Sequence, residues 1–311
     1  MCEEYIFPKW LKNIIENEDG YYYPDFKKAQ YNLTNTHKDN LIYLYTYFPR
    51  TVLEIQSIYH LLKDKSEFFE AIHYKKTLKI LSIGCGTGGD VIGLILLLKN
   101  AFKGVNFDIH LLDGNKDALN LCSKLLEALS FNENIAIDKN IYLQEIKDIN
   151  DLQMVSQCFA DEDDNFDFII TSKFLNELLK IINNPYGVFV STFKSCLAKD
   201  GIMILLDTTN LVINTFNPIL LNLGVNKAIE EDPTIACLLP IPCRITQNCK
   251  KICFTCFESV IKKKYTFKVI CHKDFLYKII NNNCFTKEDF AIVGSTSKPN
   301  NYRLCPNFLY K

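Results

Sequence analysis

Short apolar runs alternate with helical patterns between Leu78 and about Asn210, and this alternation constrains the fold more than any other feature. The runs have the length of buried strands, whereas the segments between them show the apolar spacing of helices. Strands that alternate with helices predict βαβ units, and therefore an α/β fold with a parallel sheet covered by helices on both faces. The five predicted strands are KILSIG (79–84), FDIHLLD (107–113), IYLQEI (141–146), FDFIIT (166–171) and GIMILLD (201–207).

The chain changes character on either side of this alternation. Residues 1–76 are rich in aromatic side chains and contain an amphipathic stretch over 51–73, which predicts helices. After Asn226 we interpret YTFKVIC (265–271) and FAIVG (290–294) as an antiparallel pair of strands that completes a mixed sheet. The predicted regions are an N-terminal helical cap (1–76), a core (77–225), and a Cys-rich basic segment with C-terminal strands that complete the sheet (226–311).

Composition excludes several classes of protein. The chain has 311 residues, of which 48% are apolar, and it contains no run of about 18 apolar residues that would span a membrane. Its first residues, MCEEYIFPKW, are acidic, whereas a secretory signal begins with a basic region and an apolar one. We therefore expect no membrane span and a cytoplasmic location. Thiols stay reduced there, so the thirteen cysteines are not expected to form a disulfide framework.

A glycine-rich turn follows the first predicted strand. The sequence LSIGCGTGGD (81–90) places Gly84, Gly86 and Gly88 between a strand and a helix. Glycine permits a tight turn there and lets a ligand approach the main chain. Asp113 ends the second predicted strand, where a carboxylate can accept hydrogen bonds from both hydroxyls of a ribose. Both elements therefore point to a nucleotide-like ligand at the carboxyl ends of the strands.

The same glycines permit a second interpretation. Gly84, Gly86 and Gly89 fit the G-x-G-x-x-G fingerprint of dinucleotide-binding proteins, with Asp113 about twenty residues further on. The context favours a different ligand, because a long helical segment precedes the turn. The chain also has no second half that resembles the catalytic domain of a dehydrogenase.

Four motifs together resemble those of class I S-adenosylmethionine-dependent methyltransferases: LSIGCGTGGD (81–90), HLLDGN (110–115), FDFIITSKFLNEL (166–178) and CLAKDGIMILLD (196–207). The resemblance covers about residues 77–210. It implies a Rossmann-like fold with a mostly parallel seven-stranded sheet, and an S-adenosylmethionine-binding core over 77–225. It also implies an enzyme that transfers a methyl group by in-line displacement.

The resemblance assigns cofactor-binding residues near the ends of the first four strands: Gly84, Cys85, Gly86, Gly88, Asp113, Gly114, Asn115, Asp148 and Thr171. By this resemblance the glycine turn would line the methionine part of the cofactor. Asp113 would hold the ribose hydroxyls, with Gly114 and Asn115 beside the adenine. Asp148 would lie near the adenine amino group, and Thr171 and its neighbour Ser172 would lie beside the reactive methyl.

Candidate catalytic residues follow the fourth strand. A sulfonium is already an activated methyl donor, so the protein mainly has to align a nucleophile in a dry site, and no strong base is required. The candidates are Ser172, Asn176 and Glu177, although the last two also fit the solvated first turn of a helix. TSKF (171–174) replaces the [DN]-P-P-[YF] tetrapeptide of amino-methylating enzymes, which argues against an adenine or glutamine nitrogen as acceptor.

Residues 244–278 are basic, with nine lysines and arginines against two acidic residues. Such a segment suits contacts with a phosphate backbone, although a solvated basic surface would have the same composition. It is the basis for expecting RNA or a ribosome as partner.

The sequence CRITQNCKKICFTC (243–256) overlaps this segment and concentrates four cysteines. The C-x3-C-x2-C spacing of its last three cysteines resembles radical S-adenosylmethionine enzymes, which carry that motif near the start of a barrel. As a set, Cys243, Cys249, Cys253 and Cys256 are candidate ligands for zinc or an iron–sulfur cluster. Plain thiols in a reduced protein remain the alternative.

A second resemblance concerns the same segment. PIPCRITQNC (240–249) and ICFTCF (252–257) follow TYFPRTVLEI (46–55) and SKFLNEL (172–178), an order similar to the small-ribosomal-subunit methyltransferase-like family. This resemblance implies an iron–sulfur cluster on Cys243, Cys249 and one of the next two cysteines, and a role in ribosome assembly. The Pro-His that follows the first cysteine in that family is replaced here by Arg-Ile.

Three functions remain open. The first, which the sequence favours because of its basic segment, is methyl transfer to RNA or a ribosome. The second is an RNA or ribosome assembly factor that keeps the cofactor fold without turnover. The third is methylation of a small molecule or a protein. An enclosed, neutral, aromatic pocket built from Tyr21, Tyr22, Tyr23 and Tyr47 would favour a small molecule.

Overall fold

A computed structural model describes residues 5–25, 32–160, 165–240 and 256–280, together with the backbone of residues 293–295 and 298–303. Its strands are β1 (Thr77–Ile83), β2 (Asn106–Asp113), β3 (Ile137–Leu143), β4 (Phe166–Ser172), β5 (Leu197–Thr208), β6 (Leu211–Val212), β7 (Thr215–Phe216), β8 (Ile235–Leu239), β9 (Phe257–Glu258), β10 (Lys264–His272), β11 (Val293–Ser295) and β12 (Lys298–Arg303). Its helices are α1 (Lys9–Asn17), α2 (His37–Thr46), α3 (Phe48–Lys65), α4 (Phe68–Ala71), α5 (Gly89–Ala101), α6 (Lys116–Glu133), α7 (Ile149–Phe159), α8 (Leu175–Leu178), α9 (Pro185–Phe193), α10 (Asn217–Glu231) and α11 (Lys273–Ile279).

A mixed sheet forms the centre of the fold. Its strands follow the order β3-β2-β1-β4-β5-β10-β8, and the short β9 pairs with β10 as an eighth strand. Strands β1 to β5 run parallel, whereas β10 is antiparallel to β5 and β8. Successive strand residues point to opposite faces, so Ile80 and Phe168 join one apolar cluster and Leu81 and Ile169 the other. The predicted Rossmann-like α/β fold, with its mostly parallel path of seven strands, is confirmed.

Two predicted strands differ from the observed ones. The third strand covers Ile137–Leu143 instead of 141–146. The strand that pairs with β10 on the side away from β5 is β8, not FAIVG (290–294), whose last residues belong to β11 in a separate pair with β12. The five-residue β8, IACLL, was missed because a short apolar run without alternation carries little periodic signal.

Helix α3 packs directly on α5 and so belongs to the same apolar cluster as one face of the sheet. The two helices approach closely at Gly93 of α5. A Cβ there would lie 2.4 Å from Cγ2 of Ile55 and 2.9 Å from the Cα of Val52, so only glycine fits this contact. The other face of the sheet is covered by α7, α9 and α10, through residues such as Val155 and Phe189. Among the described residues, none of the helices combines the length and apolarity needed to cross a membrane.

Candidate active site

A cavity of about 460 Å³ lies at the carboxyl ends of β1, β2 and β4. This volume falls within the range of roughly 300–1,000 Å³ that is usual for small-molecule sites. One wall consists of the turn after β1, the turn after β2 and residues 144–147 after β3. The opposite wall comes from α2, α3 and residues 32–33, and the segment after β4 forms the floor. The cavity therefore lies where parallel α/β sheets bind ligands.

The glycines after β1 shape the first wall. Gly84, Gly86 and Gly88 have φ angles of +69°, +51° and +79°, in the left-handed region that favours glycine. A Cβ on Gly84 would lie 2.3 Å from the Phe174 ring, and one on Gly88 would lie 2.3 Å from Sγ of Cys122. Around Gly86, in contrast, a Cβ would meet nothing within 4 Å. The main chain at Gly86 is therefore open to a ligand in the cavity.

Asp113 is held beside this turn by the backbone. Its Oδ2 accepts a hydrogen bond from the N–H of Gly86 at 2.7 Å, and its Oδ1 accepts one from the N–H of Asn115 at 2.8 Å. Burial raises the pKa of the carboxyl, and the backbone hydrogen bonds oppose that rise. Each carboxylate oxygen can accept a second hydrogen bond, so the oriented carboxylate can still bind a diol.

Asn115 lines the cavity, but its side chain has a structural task. The Oδ1 atom accepts hydrogen bonds from the N–H of Ala118, which caps α6, and from the Asn40 amide, both at 3.0 Å. The Nδ2 atom donates to the carbonyl oxygens of Asn32 at 2.9 Å and Asn35 at 3.0 Å. Asn115 thus connects the core to the segment before α2.

Most of the predicted cofactor residues share this cavity. Its lining includes Gly84, Cys85, Gly86, Asp113, Gly114 and Asn115. A hydrogen bond with Cys122 and burial raise the pKa of the Cys85 thiol, which therefore stays protonated. Gly88 and Thr171 lie behind the lining, and the buried hydroxyl of Thr171 has no hydrogen-bond partner within the described part of the chain.

Asp148 is not brought to the cavity. Its carboxylate is exposed and caps α7, accepting hydrogen bonds from the N–H groups of Asn150 at 2.7 Å and Asp151 at 3.1 Å. Because β3 ends at Leu143, earlier than predicted, the lining on this side is Gln144–Lys147 instead.

The candidate catalytic residues lie on the floor of the cavity, but they differ in what they can do. Ser172 has a buried hydroxyl without a hydrogen-bond partner in the described residues. The Asn176 amide donates to Oδ1 of Asp207 at 2.5 Å and to the carbonyl oxygen of Lys173 at 3.0 Å. It therefore holds the turn after β4 in place.

Glu177 is the most perturbed of these candidates. Burial, followed by the negative charge of Asp113, raises the pKa of its carboxyl to about 8. The Asn32 amide donates to its Oε1 at 3.1 Å. Asp90, another acid of the lining, has a pKa raised by burial to about 6. Several buried carboxyl groups in one cavity favour a cationic ligand, because a positive charge would stabilise their ionised forms.

A buried ion network lies under the same floor and was not predicted. Lys173 has a φ of +60° and its Nζ lies 2.7 Å from Oε2 of Glu54. The same Nζ donates to the Thr51 hydroxyl at 2.8 Å, and Glu54 also pairs with Arg50 at 2.6 Å. Burial lowers the pKa of Lys173. No local sequence signal marks this network, because it joins residues more than a hundred positions apart.

The cysteine hypothesis falls mostly outside the described residues. Cys243, Cys249 and Cys253 lie there, and Cys256 is described as buried. Within the described ranges, no group of three or more His, Cys, Asp or Glu side chains is placed to hold a metal ion. The basic segment also differs from its prediction at Lys268, which is 2% exposed in β10 and so does not belong to a surface patch.

Residues 54–228, more than half of the chain, match a family model described as a methyltransferase domain. The chain belongs to this family. It is thus a class I S-adenosylmethionine-dependent methyltransferase, as the four motifs predicted, and the dinucleotide alternative is not supported. The match ends at residue 228, before the cysteine segment at 243–256. Membership of the methyltransferase family therefore does not depend on the second resemblance, to the small-ribosomal-subunit methyltransferase-like family.

Solved methyltransferase structures are similar to this chain at low identity. A SAM-dependent methyltransferase from Aquifex aeolicus has 13% identity and a TM-score of 0.40, over 79% of this chain and 99% of that one. A TehB-like SAM-dependent methyltransferase from Corynebacterium glutamicum has 13% identity and a TM-score of 0.34, over 72% and 100%. The glycopeptide N-methyltransferase MtfA, solved with sinefungin, has 10% identity and a TM-score of 0.31, over 51% and 54%. No curated protein matches the chain by sequence.

Proposed function

We propose that the cavity binds S-adenosylmethionine and that the methyl acceptor is a small molecule. The Asp113 carboxylate carries the first part of this proposal, because Gly86 and Asn115 orient it beside a turn whose main chain is open at Gly86. Gly84, Gly86 and Gly114 would approach the cofactor through their backbone. The acids of the lining would stabilise its positive charge.

The bound cofactor supplies an electrophilic methyl, and its sulfur keeps the electron pair of the S–CH3 bond when the acceptor's lone pair forms the new bond. Glu177 would take a proton from the acceptor. At neutral pH this carboxyl is mostly protonated in the free protein, because its pKa is about 8. A positive charge nearby would lower that pKa and ionise the group. Ser172 would orient the acceptor through its hydroxyl, which is buried at the end of β4.

The enclosure of the cavity by its walls supports a small molecule as methyl acceptor. The cavity is covered by α2 and α3, and its lining carries both acids and lysines: Asp90, Asp113, Glu145, Glu177, Lys147, Lys173 and Lys180. A covered cavity of about 460 Å³ has the size usual for small-molecule sites, and a phosphate backbone would have to enter it past α2 and α3.

Methylation of RNA or of a ribosome is the second candidate. Lys262, Lys263, Lys273 and Lys278 of the basic segment are exposed and could contact phosphates. In that case methyl transfer to RNA should fall steeply with salt concentration, whereas transfer to a small acceptor should not. An assembly factor without turnover would bind the cofactor but transfer no labelled methyl to any pool.

Asp113→Asn tests the cofactor site. The amide nitrogen of Asn would face one of the two backbone N–H groups that now donate to the carboxylate. Lost hydrogen bonds to a charged group cost about 1.5–3 kcal/mol, so calorimetry should show S-adenosylmethionine affinity weakened by about tenfold to a hundredfold. Asp148→Asn is the matched control, because Asn keeps the cap of α7 and the residue lies away from the cavity. Unchanged affinity in a folded Asp113→Asn protein would refute the assignment.

A further inference from the structure

The opening of the cavity is lined by apolar side chains. Six of the described residues that line the cavity are exposed, and four of these are aliphatic: Leu33, Ile181, Leu211 and Ile213. Leu33 lies on the side of the turn after β2, because a Cβ on Gly114 would lie 2.4 Å from its Cδ1. We call the other three the apolar lip. Their exposed fractions are 54% for Ile181, 66% for Leu211 and 57% for Ile213, so they line the cavity from its opening.

The two remaining exposed residues of the lining are lysines. Lys147 pairs with Glu145 at 3.2 Å on the wall after β3. The charge of Lys180 opposes the rise in the pKa of Glu177. Exposed apolar side chains are normal when they are scattered singly, whereas several that converge on one cavity indicate a contact surface for a ligand.

Two members of the lip belong to a hairpin at this edge of the sheet. Strand β5 runs parallel to β4 and ends at Thr208, so the chain leaves the sheet on the side of the cavity. It then forms β6 and β7, in which Leu211 pairs with Phe216. The fully buried Asn217 closes the base of the hairpin. Its N–H donates to the carbonyl oxygen of Asn210 at 2.9 Å, and its Nδ2 donates to that of Thr208 at 3.0 Å. The hairpin is therefore fixed at its base and exposed at its tip.

The tip of the hairpin holds an isoleucine in a backbone conformation that isoleucine rarely adopts. Ile213 and Asn214 have φ angles of +48° and +61°. Tight hairpin turns with positive φ at both central positions normally carry glycine, asparagine or aspartate there. A β-branched residue in this conformation costs folding stability. Because Ile213 is exposed, packing in the core offsets little of that cost, which indicates that its side chain contacts a ligand.

The apolar surface continues from the lip to the floor of the cavity. Leu178 is buried, lines the cavity and directly follows Glu177. Its carbonyl oxygen accepts a hydrogen bond from the N–H of Ile181 at 3.0 Å, so one tight turn joins the floor to the lip. The cofactor would occupy the part of the cavity beside Asp113. The remainder of an acceptor therefore has to extend towards the opening, where it meets aliphatic side chains.

We propose that the methyl acceptor is an amphipathic small molecule whose aliphatic chain lies on the apolar lip. Its polar end, which carries the nucleophilic atom, then reaches Ser172 and Glu177 on the floor. This inference rests on the proposed function, since it names the class of acceptor for the same site. Each methylene group that the lip removes from water adds to the affinity, so the length of the chain should govern binding.

Binding of 1-butanol, 1-hexanol and 1-octanol to the full chain, titrated by saturation-transfer NMR, tests the lip. The Kd should tighten by about twofold to fourfold for each added methylene group, with or without saturating S-adenosylmethionine. Leu211→Asn and Ile213→Asn should each weaken the binding of 1-octanol by about threefold to tenfold. Leu223→Asn and Ile261→Asn are the matched controls, since both residues are exposed and lie outside the lining of the cavity.

Ile213→Asn also distinguishes a ligand contact from a structural role. Asparagine tolerates positive φ better than isoleucine, so the variant should unfold at a higher urea concentration than the wild type while it binds 1-octanol less tightly. A fall in both stability and affinity would show that Ile213 supports the fold, and would overturn the inference.

Four further results would contradict the proposal. A Kd that does not change with chain length would show that the chain makes no apolar contact. Unchanged affinity for 1-octanol in both lip variants would place the alcohol elsewhere. Displacement of 1-octanol by S-adenosylmethionine would place it in the cofactor's part of the cavity. Co-sedimentation with phosphatidylcholine vesicles that Leu211→Asn abolishes would make the lip a membrane contact. Cofactor affinity, measured by calorimetry without any alcohol, shows separately whether the proposed function has failed.

Discussion

Glu177→Gln is expected to stabilise the cofactor-free protein at neutral and alkaline pH, but not at acid pH. Burial, and then the charge of Asp113, raises the pKa of the Glu177 carboxyl from 4.5 to about 8. Between these two values the native state holds a proton that the unfolded chain has lost. The stability of the wild-type protein is therefore complete below pH 4.5 and falls as the pH rises towards 8. Glutamine has the same shape but does not titrate, so the variant avoids this loss.

The size of the effect follows from the pKa values. Each pH unit between them costs about 1.4 kcal/mol of unfolding free energy. At about pH 7 the variant should therefore gain at most about 3 kcal/mol, because the part of the side chain that faces the cavity remains solvated. The glutamine side chain would keep an oxygen for the Asn32 amide, which donates to Oε1 of Glu177 at 3.1 Å in the wild type.

Urea unfolding of both proteins at about pH 4.5, 7 and 8 measures this difference directly. Glu127→Gln is a control of opposite sign, since a hydrogen bond from Lys139 lowers the pKa of that exposed carboxyl. Its variant should lose stability above about pH 4.5 and regain it as the pH falls. A gain for Glu177→Gln that is the same at both ends of this pH range would refute the reasoning, because it would show that titration is not the cause.

Three further predictions concern the same site and its support. Binding of S-adenosylmethionine at about pH 7 should release up to about one proton, measured by calorimetry in buffers of different ionisation enthalpy, and Glu177→Gln should abolish this release. Gly93→Ala should destabilise the protein by about 1–3 kcal/mol in urea unfolding, because its Cβ would lie 2.9 Å from the backbone of α3. Lys173→Met should cost about 3 kcal/mol by the same measurement, since it leaves Glu54 with Arg50 as its one cation in the described network. Adding Glu54→Gln should recover much of that loss.

The parallel strands of the sheet could be predicted because each is marked by a short apolar run in the sequence itself. Each of the first four strands is an apolar run followed by a helical pattern, a fifth apolar run closes the series, and a glycine turn marks the end of the first strand. Strand β8 was missed because five apolar residues fit a strand or a helix equally well. The third strand was predicted at 141–146, further along the sequence than the observed Ile137–Leu143, and this difference also affects the predicted site. With β3 ending at Leu143, Asp148 begins a helix instead of facing the cavity.

The site could be predicted only where a motif carries it. The glycine turn and Asp113 follow strand ends, so their position in the sheet also gives their position in the cavity. No sequence motif marks the opposite wall, because Asn32 and Tyr43 reach the cavity through tertiary packing. The same is true of the Lys173–Glu54 pair under the floor. The aromatic segment at 21–23 was suspected as a pocket, and Tyr21 and Tyr23 line one, whereas Tyr22 is 61% exposed and outside its lining.

Asn115 connects the two opposite walls of the cavity, so a displacement of one wall should affect the other. It follows Asp113 by two residues, and its side chain holds Asn40 of α2 and the carbonyl oxygens of residues 32 and 35. The same α2 carries Tyr43, which lines the cavity. A cap that touched the core only through apolar surfaces could shift without moving the carboxylate of Asp113. Here the capping asparagine of α6 is shared, so a displacement of α2 would strain the turn that positions Asp113. Cofactor affinity should therefore fall when this connection is cut.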